Sequence, residues 1–313
     1  MFLFLVRRIL STIPVLLTVA VFVFLILRIG PGDPAAVLAG DTASLQQIEE
    51  IRTRLGLNEP LYKQFAIWMG QLATGDLGES FFFKMPVADL IAQRVQPTLA
   101  LAVVTIILAV MIAVPLGVVA AYRQGSLVDR LVMMLSVVGF SVPVFVLGYM
   151  LIWVFAIELR VFPVQGYVRI QQGFWPFIER LILPASTLCV IYVALIARIT
   201  RASVMEVLTE DYIRTARAKG VSERVILFRH GLRNAAVPVI TIIGIGIALL
   251  IGGVVVTESI YNIPGLGRLT VDAVLARDFP VIQSIVLVFS IVYVGINLLI
   301  DISYTFFDPR IRY

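Results

Sequence analysis

VQPTLALAVVTIILAVMIAVPLGVVAAY, residues 95–122, carries no Asp, Glu, Lys, Arg or His. A helix that crosses the hydrocarbon core needs roughly 20 predominantly apolar residues, and this run exceeds that. Five more uncharged runs accompany it, at residues 9–27, 131–157, 181–197, 234–257 and 279–300. Helices buried in soluble domains are rarely so long. Six such runs in 313 residues read as an all-α polytopic membrane protein with six transmembrane helices. Composition agrees: 60% of the chain is hydrophobic and 14% charged, where ordinary soluble domains are about a quarter charged.

The first run follows Arg7 and Arg8, as a secretory signal would. It is longer than the roughly 7–15 apolar residues of a signal, and no small-residue cleavage site follows, so it reads as a retained span. Six spans put both termini on one side. Fourteen basic residues fall there: Arg7, Arg8, Arg123, Arg130, Arg198, Arg201, Arg214, Arg217, Lys219, Arg224, Arg229, Arg233, Arg310 and Arg312. Six acidic residues accompany them, whereas the other side holds eleven basic and thirteen acidic. Basic loops stay inside, so both termini are expected in the cytoplasm. This bias accounts for the basic pI, and no nucleic-acid partner is expected.

Between the first two spans lie residues 31–96, too polar for membrane and too long for a simple loop. Ser44-Leu45-Gln46-Gln47 has capping-box spacing and opens a helix on which Leu45, Ile48, Ile51 and Leu55 share a face, with Gly56 as its stop. A second helix after Asn58 places Leu61, Phe65, Trp68, Met69 and Leu72 on its apolar side. Gly75-Asp76-Leu77-Gly78 forces a turn, and Pro86 suits the start of the helix that feeds the second span. The stretch reads as a small extracytoplasmic helical subdomain. Pro115 and Gly117 in the second span and Pro143 in the third are candidate kinks, which in transporters mark substrate paths and elsewhere are plain packing. The aromatics of residues 158–180 suit the headgroup level. In the fifth span Gly244, Gly246, Gly252 and Gly253 allow close helix approach. Asp301, the acidic residue inside a span, lies near its end with Asn297 one turn back. A structural role is favoured over an intramembrane functional carboxylate.

Material for catalysis is sparse. His230 is the one histidine and Cys189 the one cysteine, so paired-histidine metal motifs and an intramolecular disulfide are excluded. Lys63, Lys84 and Lys219 are the lysines, and none ends a phosphate-binding G-x-x-x-x-G-K loop. Any ATPase that drives this protein is a separate chain. A gradient-driven carrier would need carboxylates or histidines deep in its spans, and Asp301 alone approaches that.

The polar stretch EVLTEDYIRTARAKGVSERVILFRHGLRNAAVP, residues 206–238, lies on the basic side. It reads as a helix–turn–helix. Gly220 terminates the first helix, and Ser222 caps the second, with Glu223 in its first turn. Val225, Phe228 and Leu232 form the second helix's apolar stripe. Ala216 and Gly220, four residues apart, offer a small-residue face to a partner groove. A solvated basic loop lying against anionic lipid is the rival reading.

This stretch resembles the cytoplasmic EAA loop of ABC importer permeases, the coupling helix that docks into a nucleotide-binding subunit. Asp211-Tyr212-Ile213-Arg214-Thr215-Ala216-Arg217-Ala218-Lys219-Gly220 and His230-Gly231-Leu232-Arg233-Asn234 are similar to the peptide-importer branch. Arg214 and Thr215 stand where the general E-A-A-x-x-x-G pattern has glutamate and its first alanine. Pro31-Gly32-Asp33-Pro34, Gly75-Asp76-Leu77-Gly78, Pro264-Gly265-Leu266-Gly267 and Asp308-Pro309-Arg310-Ile311-Arg312 extend the resemblance to the dipeptide and oligopeptide permeases of the first-subunit type over nearly the whole chain.

The resemblance implies a type I ABC importer permease fold in a bacterial cytoplasmic (inner) membrane. Residues 1–30 would hold the first helix, 31–96 the extracytoplasmic subdomain, and 97–313 the permease core with its coupling loop at 203–236. Implied partners are a homologous second permease in a heterodimer, two cytoplasmic ATP-binding subunits, an extracytoplasmic solute-binding protein and the lipid bilayer. ATP and Mg would be bound by the partner subunits, with no cofactor or catalytic residue in this chain. Asp211, Arg214, Thr215, Ala216, Arg217, Ala218, Lys219 and Gly220 would couple to the ATPase, and Asp76, Gly78, Pro264 and Gly265 are candidate contacts of the binding protein. The expected cargo is a dipeptide or oligopeptide. Nickel, glutathione and oligosaccharide importers share the branch, and an autonomous channel or gradient-driven carrier is the rival of another class.

Overall fold

The computed structural model describes residues 2–29, 33–40, 43–54 and 56–307. Pro31-Gly32, Leu55 and the Asp308-Pro309-Arg310-Ile311-Arg312 motif lie outside the described residues. Among those described, regular structure is helical apart from an isolated bridge between Glu79 and Pro86. The chain divides into two compact units, Met1–Gln96 with Arg268–Val294 and Pro97–Gly267 with Gly295–Tyr313.

The first unit starts with α1 (Phe2–Ile29). In α2 (Pro34–Ala39), Asp33 is the N-cap and its carboxylate accepts from the Ala35 amide at 3.0 Å. The same carboxylate accepts from Arg52 at 2.5 Å, which ties α2 to α3 (Leu45–Arg54). The capping box that opens α3 is present: the Gln47 amide donates to Ser44 Oγ at 3.3 Å, and the Ser44 amide to Gln47 Oε1 at 2.9 Å. Then follows α4 (Leu61–Ala73). Its apolar side, read from spacing, is only half the account, because the most deeply buried side chain on α4 is Gln64. Gln64 accepts from Arg28 Nε at 2.9 Å and donates to the Leu57 and Glu59 carbonyls. Beside it Phe24 packs edge-on against Phe65 with ring centres 5.3 Å apart, a favoured aromatic geometry.

After α4 the chain turns at Gly75 and Gly78, both at positive φ, with Asp76 accepting from the Gly78 amide at 2.9 Å. The loop that follows closes on itself through the Ser80 amide to Met85 oxygen at 3.0 Å. Asp278, fully buried, holds it: Ser80 Oγ donates at 2.5 Å and the amides of Phe81 and Phe82 at 3.2 and 3.0 Å. Replacing Asp278 by alanine would strip three donors of their acceptor, and each unsatisfied buried donor costs about 1–3 kcal/mol. Amide hydrogen exchange at Phe81–Phe83 should then accelerate strongly, while Asp278→Asn, which keeps an acceptor, changes it less. Unaltered exchange in the alanine variant would refute this role.

The second unit is organised on helices longer than a membrane requires. They are α5 (Val87–Tyr122), which begins in the first unit, and, further along, α8 (Phe174–Leu208). Between them the third apolar run, where Pro143 is a candidate kink, is not one continuous helix. It breaks into α6 (Leu127–Ser141) and α7 (Val144–Leu151), the latter prolonged as a π-turn over Ile152–Glu158, and the two halves are bent by 104°. Pro143 is the cause: its ring disfavours a helical conformation at the preceding residue, and Val142 is extended at φ −82°, ψ 125°. The helices α1, α5, α8, α11 (Ala236–Ile260) and α13 (Phe279–Phe307) are each long and apolar enough to cross a membrane, and the bent pair brings the number to six if it counts as one span.

Helix α8 is the most buried of these and forms the core of the second unit with α6, α7 and α11. Gly253 meets Leu188, and Gly246 meets Tyr192, so the close approach expected of the fifth span is seen there; a Cβ added at Gly252 would meet only open space. Around the start of α8, Tyr167 and Phe177 turn inward while Phe174 and Trp175 stay exposed, so only the latter pair suits a headgroup position.

Candidate functional site

The polar stretch 206–238 begins as the last turn of α8, which runs without interruption to Leu208. Helix α9 (Asp211–Ala218) follows and stops at a Schellman closure: the Val221 amide donates to the Ala216 oxygen at 3.2 Å, and the Gly220 amide to the Arg217 oxygen at 2.9 Å. Gly220 carries φ 77°, a left-handed position in which a Cβ is strained. Because the helix ends at Ala218 and the chain reverses hand at Gly220, Ala216 and Gly220 do not share a helix face. Ala216 is half-buried, and Gly220 forms the exposed tip.

Arg217 clasps the two arms of the turn, with Nε donating to Glu223 Oε1 at 2.9 Å and Nη2 to Oε2 at 3.4 Å. Those hydrogen bonds push the Arg217 guanidinium above its ordinary pKa. Asp211 accepts from Arg214 at 3.3 Å, and the Asp211 carbonyl from Thr215 Oγ1 at 3.0 Å. Asn234 donates to the Tyr212 hydroxyl at 2.9 Å. Asp211, Arg214, Thr215, Arg217, Ala218 and Lys219 are exposed. The structure thus gathers the expected coupling residues in one solvent-facing turn closed by its own hydrogen bonds.

The second arm departs from the sequence reading. Ser222 holds the N-cap position, yet its side chain makes no capping bond. The short α10 (Glu223–Val225) passes into a π-turn over Ile226–Leu232. That wider turn changes the register. Ile226, Leu227 and Gly231 face inward, Leu232 is half-buried, and Val225 and Phe228 are exposed. Leu227 and Ala235 pack with Val118 and Ala121 of α5 and Val204 of α8, with Leu208 and Leu232 at the edge. One apolar cluster therefore seats the second arm on the ends of α5 and α8, next to the start of α11, while Tyr212, Val225 and Phe228 remain exposed on the segment.

The other candidate residues fall in two places. Asp76 and Gly78 are exposed in the first unit. In the second, Pro264 is exposed and Gly265 is buried against Glu258, just before α12 (Leu266–Leu275). Three buried acidic side chains escaped the sequence reading as structural centres: Asp129, Glu258 and Asp278. The available signal was their position, each next to a turn at the edge of an apolar run.

Long apolar helices joined to a polar turn at the ends of α5 and α8 mark a component of the membrane. The chain belongs to the family of binding-protein-dependent transport system inner membrane components, which matches residues 113–313, with the N-terminal component of that family on residues 1–102. It is an ABC importer permease subunit. A probable peptide ABC transporter permease of Sinorhizobium fredii is 54% identical over 310 residues, covering 99% of both chains. A putative peptide transport system permease of Brucella abortus is 45% identical over 307 residues, covering 98% of both. The glutathione transport system permease protein GsiC of Escherichia coli K12 is 45% identical over 310 residues, covering 99% of both. Among solved structures, the MetNI methionine ABC transporter in an inward-facing form superposes with TM-score 0.59 at 19% identity, over 70% of this chain and 96% of that one. That likeness shows the type I importer permease fold.

Proposed function

We propose that this chain forms half of the translocation pathway of an ATP-driven importer for dipeptides or oligopeptides. In this reading residues 203–236 face the cytoplasm, where positive residues concentrate, and the Asp211–Gly220 tip receives the movement of an ATP-binding subunit. The observation that carries the reading is the build of the tip, closed by Gly220 and clasped by Arg217 and Glu223 to a second arm that packs into the apolar cluster at the ends of α5 and α8. A loop that merely rests on lipid needs no such construction. Exposed Tyr212 and Phe228 supply the aromatic anchors that protein interfaces favour.

A peptide cargo is supported by the relatives, which are named for peptides and for glutathione, itself a tripeptide. A second permease, two ATP-binding subunits and a solute-binding protein would complete the complex. The solute-binding protein would approach from outside the cell, and Asp76, Gly78 and Pro264, each exposed, are its candidate contacts.

The test is ATP hydrolysis by the complete complex reconstituted in liposomes, with and without loaded binding protein. Gly220→Pro and Ala216→Arg should each cut the stimulated rate by about tenfold, within the usual range of coupling energies. Undiminished stimulation would overturn the role of the tip. Titrating the binding protein with dipeptides, glutathione and nickel assigns the cargo, and binding of nickel alone would displace the peptide reading.

A further inference from the structure

Where α11 ends, a buried carboxylate interlocks three helices. Glu258 is fully buried. Its Oε1 accepts from Thr98 Oγ1 of α5 at 2.6 Å, and the same hydroxyl oxygen accepts from the amide of Leu266, the first residue of α12, at 2.8 Å. The Ile263 amide donates back to the Glu258 carbonyl at 2.9 Å. A Cβ on Gly265 would sit 2.1 Å from Oε1, and one on Gly267 would sit 2.6 Å from the Val255 Cα. The Pro264-Gly265-Leu266-Gly267 motif is thus shaped to the Glu258 side chain. Next to it, Tyr261 is buried and shares a 2.8 Å hydrogen bond with Thr187 of α8, and the Gly166 amide donates to its carbonyl at 3.0 Å. The opposite end of α11 follows Ala235, which packs in one cluster with Leu227 of the second arm, the arm that Arg217 clasps to the coupling tip.

We propose that Glu258 is a positioning residue: through Thr98 it clamps the 262–267 turn to α11, so that a protein docking on exposed Pro264 shifts α11 as a rod and thereby the Asp211–Gly220 tip. This inference rests on the importer reading above. The physical basis is stiffness. A carboxylate excluded from water is costly to leave without its partners, so the turn and the helix end move together. A hydrated turn would absorb a push locally.

The test uses the complete complex in liposomes and reads, within each variant, the ratio of binding-protein-stimulated to basal ATP hydrolysis. Wild type must show stimulation; its absence would defeat the importer reading itself and is distinguishable from failure of the clamp. Thr98→Val keeps the side-chain shape and deletes the hydroxyl's hydrogen bonds to Glu258 and Leu266. It is expected to assemble and bind the solute-binding protein with unchanged affinity, while the ratio falls about tenfold; Thr98→Ser, which keeps the hydroxyl, restores it. A purely steric role is separated by Gly265→Ala, which should block assembly, and by Glu258→Ala with Gly265→Ala, which removes the clashing oxygens. The double variant should assemble and stay uncoupled. A wild-type ratio in Thr98→Val, or in the assembled double variant, overturns the proposal. If neither variant assembles, the joint serves folding and the proposal is likewise overturned.

Discussion

Replacing Gly117 by alanine is expected to lower the stability of the permease by about 3 kcal/mol, the upper part of the usual range for overpacking. A Cβ at this position would lie 2.6 Å from Thr200 Cβ and 2.7 Å from the Ala197 carbonyl oxygen. The second contact decides the magnitude, since a backbone oxygen inside α8 cannot turn aside as a side chain can. Relief requires α5 and α8 to separate, and that loosens the packing around buried Val118, Ala120 and Ala121. Gly117→Val should leave little folded protein. Thr200→Ala should not rescue Gly117→Ala, because the Thr200 Cβ and the Ala197 oxygen both remain. Thermal unfolding of the purified complex, followed by loss of monodispersity, measures the effect. A midpoint equal to wild type for Gly117→Ala would show that the helices part at no cost.

Asp129→Ala should be comparably damaging for an electrostatic reason. Asp129, near the start of α6, accepts from Arg201 of α8 through Nε and, at 2.7 Å, through Nη2, and from the Gly125 amide at 2.9 Å. The Asp129 side chain is 5% exposed and that of Arg201 22%. Deleting the carboxylate strands a guanidinium that is largely removed from solvent, and breaking such a pair costs about 3–5 kcal/mol. The loss reflects the stranded charge more than the worth of the pair. Asp129→Ala combined with Arg201→Met should therefore recover much of the stability that Asp129→Ala loses. Unfolding midpoints of the two single variants and the double variant give the coupling. Strictly additive losses would dismiss the pairing.

The long apolar helices were legible because each is a local property of composition, and the capping box at Ser44 and Gln47 because it spans one turn. The Gly220 closure was legible for the same reason. Contacts between distant positions were not. Gly117 read as a kink, whereas α5 continues through it and the missing side chain makes room for Thr200, 83 positions away. Nothing local singles out Glu258, whose carboxylate meets Thr98, 160 positions earlier. On the coupling segment, the stripe Val225, Phe228 and Leu232 assumed a period of 3.6 residues. The π-turn over Ile226–Leu232 breaks that period, and Phe228 faces solvent instead. Pro143 was a candidate kink, but the size of the bend depends on what α6 and α7 pack against.

The break between α6 and α7 has a dielectric consequence. A helix end leaves peptide groups without intrahelical partners, and lipid tails offer them none. Here Pro143 removes one amide by lacking a hydrogen, and the Val142 amide still reaches the Val138 oxygen at 3.2 Å; carbonyls at the end of α6 and amides at the start of α7 have no continuing helix to pair with. With apolar helix on both sides, the 104° corner is a point of high local polarity. Acyl chains will be expelled from it, and water or another protein surface drawn in, so the apolar pair wets first at its bend.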